Sequence, residues 1–195
     1  MILARWRARR ANHLLIEQIH GEIVAAARAP ALYAEWETPD TVDGRFEMIV
    51  LHAGLVMRRL SQLGDVGAQI AQDLVDFVFR RLEDALREMA IGDAGVIKRT
   101  KVMIEAFYGR NGAYAEALGA ADSERLAVAL ARNVYGVSTL NAAPHARDLA
   151  AYVSRVAAAL ETVGIDDFSS GRFRYPQVLG DPQVLGDPQV GRGAQ

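Results

Sequence analysis

A chain of 195 residues, 51% hydrophobic and 24% charged, carries enough apolar side chain for one buried domain or at most two small ones. Its net charge of -2 excludes a strongly basic nucleic-acid binder. The absence of cysteine removes disulfides, thiol catalysis and thiolate metal sites together, and fits a reducing compartment.

The N-terminal segment, residues 1–10, sets Arg5, Arg7, Arg9 and Arg10 around Trp6. No apolar core with a small-residue cleavage site follows, and helical periodicity begins almost at once, so a mature N-terminus is expected in place of a targeting peptide. These residues suit an anionic membrane surface, at roughly 1 kcal/mol for each basic residue near it. From Trp6 to Ala29 the spacing predicts a first helix with Leu15, Ile16, Ile19, Ile23, Ala26 and Ala27 on one arc, ended by Pro30. A connector through Tyr33, Trp36 and Pro39 leads to a second helix from about Asp43. Its best apolar run, Met48 to Met57, contains His52 and is closed by Arg58 and Arg59, well short of the roughly 18 residues a membrane span needs.

Gly64 and Gly67 are expected to bracket a turn. A third helix then carries Ile70, Leu74, Val78, Leu82 and Leu86 to Gly92, expected as a left-handed C-terminal cap. Its acids, spread from Asp65 to Glu88, read as a solvated face. Asp93 is expected to cap a fourth helix, which ends near Gly109 with Asn111-Gly112 as the following turn. A fifth helix is predicted from about Asp122 to Tyr135 and a sixth from Asn141–Pro144 to Val163. The expected fold is an all-α, single-domain bundle of about six helices over residues 1–167. The repeated "PQVLGDPQVLGDPQV" then marks residues 168–195 as a disordered low-complexity tail.

Catalytic signals are weak. His13, Glu17 and His20 project from one side of the first helix and include a Glu-x-x-His pair, but a helix-bundle metal site needs a second such motif and further carboxylates, which no other histidine supplies. His52 reads as a packed, hydrogen-bonded histidine. No phosphate loop, nucleophile elbow or His-Glu-x-x-His occurs. Neither an enzyme, a metal site nor a cofactor is expected; a metal-binding helical enzyme built on the first helix is the weaker alternative.

The fourth helix poses an electrostatic question. Lys98, Arg99 and Lys101 crowd its first turns, where a cation opposes the helix dipole by about 0.3 to 1 kcal/mol. A Lys101–Glu105 pair would recover roughly 0.2 to 0.5 kcal/mol. Val96, Ile97, Thr100, Met103, Ile104 and Phe107 are expected to pack inward, leaving the cations and Tyr108 for an anionic partner: lipid headgroups, RNA phosphate or acidic side chains. RNA binding and peripheral membrane binding therefore stand as alternatives to protein binding.

The same stretch carries a resemblance. "DTVDGRFEMIVLHAGLVMRRL" (40–60) and "LEDALREMAIGDAGVIKRTKVMIEAFYGRNGAY" (82–114) are similar to the two signature blocks of the ubiquinol–cytochrome c chaperone family, assembly factors of the cytochrome bc1 complex (respiratory complex III). The likeness extends over roughly residues 10–165. It implies a non-enzymatic helical chaperone that binds newly made cytochrome b, with the ribosome and the inner-membrane surface as further contacts and no DNA. A bacterial-type member would work in the cytoplasm, peripheral to the inner membrane, or on the matrix side if mitochondrial. Motif and chemistry together single out Lys98, Arg99, Lys101, Phe107, Tyr108, Arg110, Asp43 and Arg45 as client- or partner-binding residues, with Arg5, Trp6, Arg7, Arg9 and Arg10 facing the membrane.

Overall fold

The structure, a computed structural model, describes residues 2–88 and 90–178, with side-chain environments from residue 10 onward. Among these residues there are eight α-helices, one 3-10 turn (Leu140–Ala142) and no strand. The helices are α1 (Ile2–Ala27), α2 (Pro30–Ala34), α3 (Val42–Ser61), α4 (Gly64–Glu88), α5 (Asp93–Gly119), α6 (Ser123–Asn133), α7 (Ala146–Leu160) and α8 (Ile165–Ser169). The all-α expectation holds. The six long helices are those the apolar periodicity picks out, and α2 and α8 are short additions.

Helix α3 is the element around which the others gather, packing on α1, α4, α5 and α7. Its run from Val50 to Val56 is buried throughout, as expected of a helix covered on all sides. α1 and α4 flank it, α5 crosses from α4 to α6, and α6 pairs with α7 to close the bundle. Two glycines make the close approaches around α3 possible. A Cβ on Gly44 would stand 2.0 Å from the Pro39 carbonyl oxygen, which lets the chain double back into the Thr41 cap; the Thr41 hydroxyl accepts from the Gly44 amide at 3.0 Å. A Cβ on Gly54 would stand 1.7 Å from Asn111 Oδ1, so α3 and α5 meet there almost backbone to side chain.

Several boundaries differ from expectation. Pro30 does not end α1, which stops at Ala27; it opens α2, where its missing N–H costs nothing. Gly64 is the first residue of α4 and Gly67 lies inside that helix. Gly92 is not the left-handed cap of α4. That conformation falls on Ala90 (φ +59), and the Ala90 and Ile91 amides donate to the Arg87 and Leu86 carbonyls in a Schellman-type ending. Gly92 is the extended N-cap of α5, so Asp93 enters the helix and makes no capping bond. Asn111-Gly112 is no turn either: α5 continues to Gly119, because Asn111 is pinned against Gly54 and contacts across the bundle outweigh local turn preference.

The largest correction concerns residues 168–178, expected as part of the tail. Phe168 of α8 is buried, and after that helix the chain turns at Gly171 (φ +70) and continues without regular secondary structure, with Phe173 and Tyr175 buried. Phe168 and Phe173 stack at 4.6 Å. Gln18 Nε2 donates to the Phe173 carbonyl at 2.6 Å, and the Tyr175 amide donates to Glu22 Oε2 at 3.0 Å. From Arg172 to Tyr175 exposed and buried residues of this strap alternate, a short two-residue pattern that a search for helical periodicity passes over. The rest of the expected tail, residues 179–195, lies outside the described residues.

Candidate functional site: the outer face of α5

Helix α5 takes its inner face from Val96, Thr100, Phe107 and Tyr114, all buried. Phe107 meets the Phe79 ring edge-on at 5.5 Å, so this expected partner-binding residue belongs to the core. The outer face is more apolar than the sequence suggests. Ile97, expected inside, is 68% exposed, and Val102 and Tyr108 are 57% and 51% exposed. Between residues 97 and 108, three of the seven exposed positions of α5 therefore carry large apolar groups.

Lys98, Arg99 and Lys101 stand exposed among these groups. None has a hydrogen bond or ion pair to any described residue, and the expected Lys101–Glu105 pair does not form among the described contacts. At 3.6 residues per turn, Ile97, Tyr108 and Lys101 fall within about 40° of one another, with Lys98 on the adjoining row. The result is a ridge with two apolar studs about 16 Å apart and lysines between and beside them.

The remaining expected residues divide away from this ridge. Arg110 is taken by Glu47 of α3, whose side chain is mostly buried. Burial raises the Glu47 carboxyl above its ordinary range, and the Arg110 charge opposes that shift. Arg110 is thus a structural tie and no open partner contact. Arg45 pairs with Asp40 and lies over the Tyr33 ring at 5.9 Å, lining with Arg28 and Pro30 a shallow cleft of about 450 Å³. Asp43 is exposed in the first turn of α3.

The basic N-terminal segment lies elsewhere. Asn12 donates to Asp73 at 2.8 Å and His20 feels the charge of Arg81, so α1 and α4 run parallel. The start of α1 therefore points to the Gly64 end of α4, whereas the α5 cations sit at its Glu88 end, about 37 Å away along a 25-residue helix. Arg10 is exposed; the side chains of Arg5, Trp6, Arg7 and Arg9 lie outside the described residues. His13 and His20 both turn to the Phe77 ring, at 5.7 and 5.1 Å. No group of three or more His, Asp or Glu side chains among the described residues is arranged to hold a metal ion.

His52 is the packed, hydrogen-bonded histidine that the sequence suggests, and its distant partners are what sequence reasoning missed. His52 Nδ1 lies 2.7 Å from the Met48 carbonyl and Nε2 lies 2.8 Å from the Tyr152 hydroxyl, with the Tyr175 ring 5.3 Å away. His52 is fully buried, and burial pushes its pKa down to about 4. The cluster is a packed polar core. Its side-chain partners, Tyr152 and Tyr175, lie a hundred or more residues from His52, and no local pattern marks them.

Comparison with known proteins decides what this arrangement belongs to. The family model for the ubiquinol–cytochrome c chaperones matches residues 34–175. The chain belongs to that family. The family match ends at Tyr175, the last buried aromatic of the strap, so the strap is part of the family domain. The fold is similar to the crystal structure of the Cbp3 homolog from Brucella abortus, at 37% identity and a TM-score of 0.79, over 91% of this chain and 97% of that one. No match was found among curated protein sequences. Membership of this chaperone family supports a role in assembling the cytochrome bc1 complex. Among the described residues no helix is long and apolar enough to cross a membrane.

Proposed function

We propose that this chain binds newly made cytochrome b at the membrane and holds it until it enters the cytochrome bc1 complex. The observation that carries the reading is the family match across residues 34–175. The work is binding and no chemical step, and it needs no cofactor. The outer face of α5, with Ile97, Lys98, Arg99, Lys101 and Tyr108, is the surface best suited to receive the client: it joins exposed apolar area to unpaired charge. Phe107, Arg110 and Arg45 leave the set, since the core or a neighbouring acid already holds each. Membrane proximity then follows from the client, which is itself a membrane subunit; the basic N-terminal segment and the ribosome are further contacts on this reading.

Deleting the gene is expected to lower assembled bc1 complex, and tagged protein drawn from growing cells is expected to bring down cytochrome b. Normal bc1 levels in the deletion strain would sink the assembly reading. Recovery of other bc1 subunits without cytochrome b would move the client elsewhere in the same complex.

A further inference from the structure

From the makeup of the α5 ridge we infer that its partner is a protein helix carrying carboxylates along the border of an apolar face, and that lipid is not what it binds. This rests on the reading above that the ridge is where the client docks, and it names the chemistry of that client segment. Two features of the ridge set the partner's character. The exposed side chains of Ile97 and Tyr108 call for apolar groups opposite them. Lys98 and Lys101, on that side of α5, have no hydrogen bond or ion pair to an acid among the described residues, so the partner must supply it.

The choice between helix and membrane follows from what lies beside the ridge. At the same end of the molecule Arg87 is already shared by Glu83, Asp84 and Asp93, at 3.4, 3.4 and 3.9 Å, and Glu88 is exposed next to them. A flat anionic bilayer pressed on this end meets those carboxylates as well as the lysines, and its attraction is largely cancelled. A single helix laid along the Ile97–Tyr108 row touches a strip about 10 Å wide and meets Lys98 and Lys101 together with Glu105 and Asp93, the latter already drawn to Arg87, while Glu83, Asp84 and Glu88 of α4 lie off the strip. The spacing also fits: the studs at Ile97 and Tyr108 are three helical turns apart, so a partner helix spans them without bending.

The test uses the full chain and a labelled amphipathic peptide of about 20 residues, leucine on one face and glutamates bordering it. At low salt this peptide is expected to bind about tenfold or more tightly than the same peptide with glutamine, and the preference to shrink as salt rises. Lys98→Glu with Lys101→Glu is expected to abolish that preference and to favour a lysine-bordered peptide instead. Both residues are exposed and unpartnered, so an unchanged melting temperature verifies that the variant is folded. Equal binding of the glutamate and glutamine peptides, or an unchanged preference in the variant, overturns the inference. So does binding to phosphatidylglycerol vesicles with no binding to either peptide, which assigns the ridge to lipid. The two levels separate in cells: if the deletion strain loses bc1 complex but the charge-reversed chain restores it fully, only the α5 assignment fails.

Discussion

A carbonyl oxygen can only accept, so His52 must donate from Nδ1 to Met48 and receive the Tyr152 hydroxyl proton on Nε2. The neutral imidazole satisfies both contacts, and protonating Nε2 would force the Tyr152 hydroxyl to turn and accept while placing an unpaired charge in the core. The pH dependence follows. The folded pKa lies at about 4 and the ordinary histidine value at 6.5, so the unfolded chain binds more protons between those values. Stability is full above about pH 6.5 and is lost as pH falls toward 4, by on the order of 3 kcal/mol for this one group. Urea titrations from pH 7.5 to 4.5 are expected to show this decline, and His52→Leu is expected to flatten it. An equally steep decline in His52→Leu would assign the acid sensitivity to other groups. The residue scale also explains why three expected contacts, Phe107, Arg110 and Arg45, left the candidate site and why Ile97, expected in the core, joined it. Phe107, Arg110, Arg45 and Ile97 look alike on a helical wheel whether or not a neighbour covers them, and only the neighbour decides.

At the scale of elements, the crossing of α3 and α5 depends on one missing Cβ. Gly54→Ala would drive a methyl group into the Asn111 side chain, and overpacking of this kind costs about 1 to 3 kcal/mol. Asn111→Ala removes the obstacle and also removes a buried amide nitrogen with no hydrogen-bond partner among the described residues. The double variant is therefore expected to recover most of the stability lost by Gly54→Ala, as read from chemical-denaturation midpoints at pH 7.5. Additive costs would mean that Gly54 is needed for some other reason. The same crossing explains why Asn111-Gly112 misleads as a turn signal. Its local preference is real, but a 27-residue helix held by α3, α4 and α6 outweighs it. The left-handed alanines Ala90 and Ala121, each closing a helix, belong to the same kind of outcome. Glycine is the residue usually sought there, so these ends carry no signature in the sequence.

For the whole molecule, the strap determines where the domain ends. Phe168, Phe173 and Tyr175 fill space against α1, α3 and α7, and burying each contributes roughly 1.5 to 3 kcal/mol. A chain truncated after Asp167 is expected to lose several kcal/mol and to melt at a markedly lower temperature. A chain ending at Val178 keeps every one of these contacts and is the control. If the two melt alike, the strap adds nothing to the core. The molecule also separates the two basic segments that the sequence shows, placing them at opposite ends of α4. They cannot be summed into one charged surface, and for that reason the α5 ridge is assigned its own partner.

Periodicity, alanine content and the proline and glycine positions were enough to determine an all-helical chain with six long helices, since a 3.6-residue apolar repeat is written locally. The signature blocks at residues 40–60 and 82–114 were enough to indicate the family; the first holds Gly44, which answers to the Pro39 backbone, and Gly54, which answers to the Asn111 side chain. Four things were decided only by tertiary structure: which face of α5 stays open, which cations remain unpaired, the partners of His52, and the inclusion of residues 168–178 in the core. Each depends on contacts between residues far apart along the chain, and sequence spacing carries no information about which distant surface will cover a given side chain.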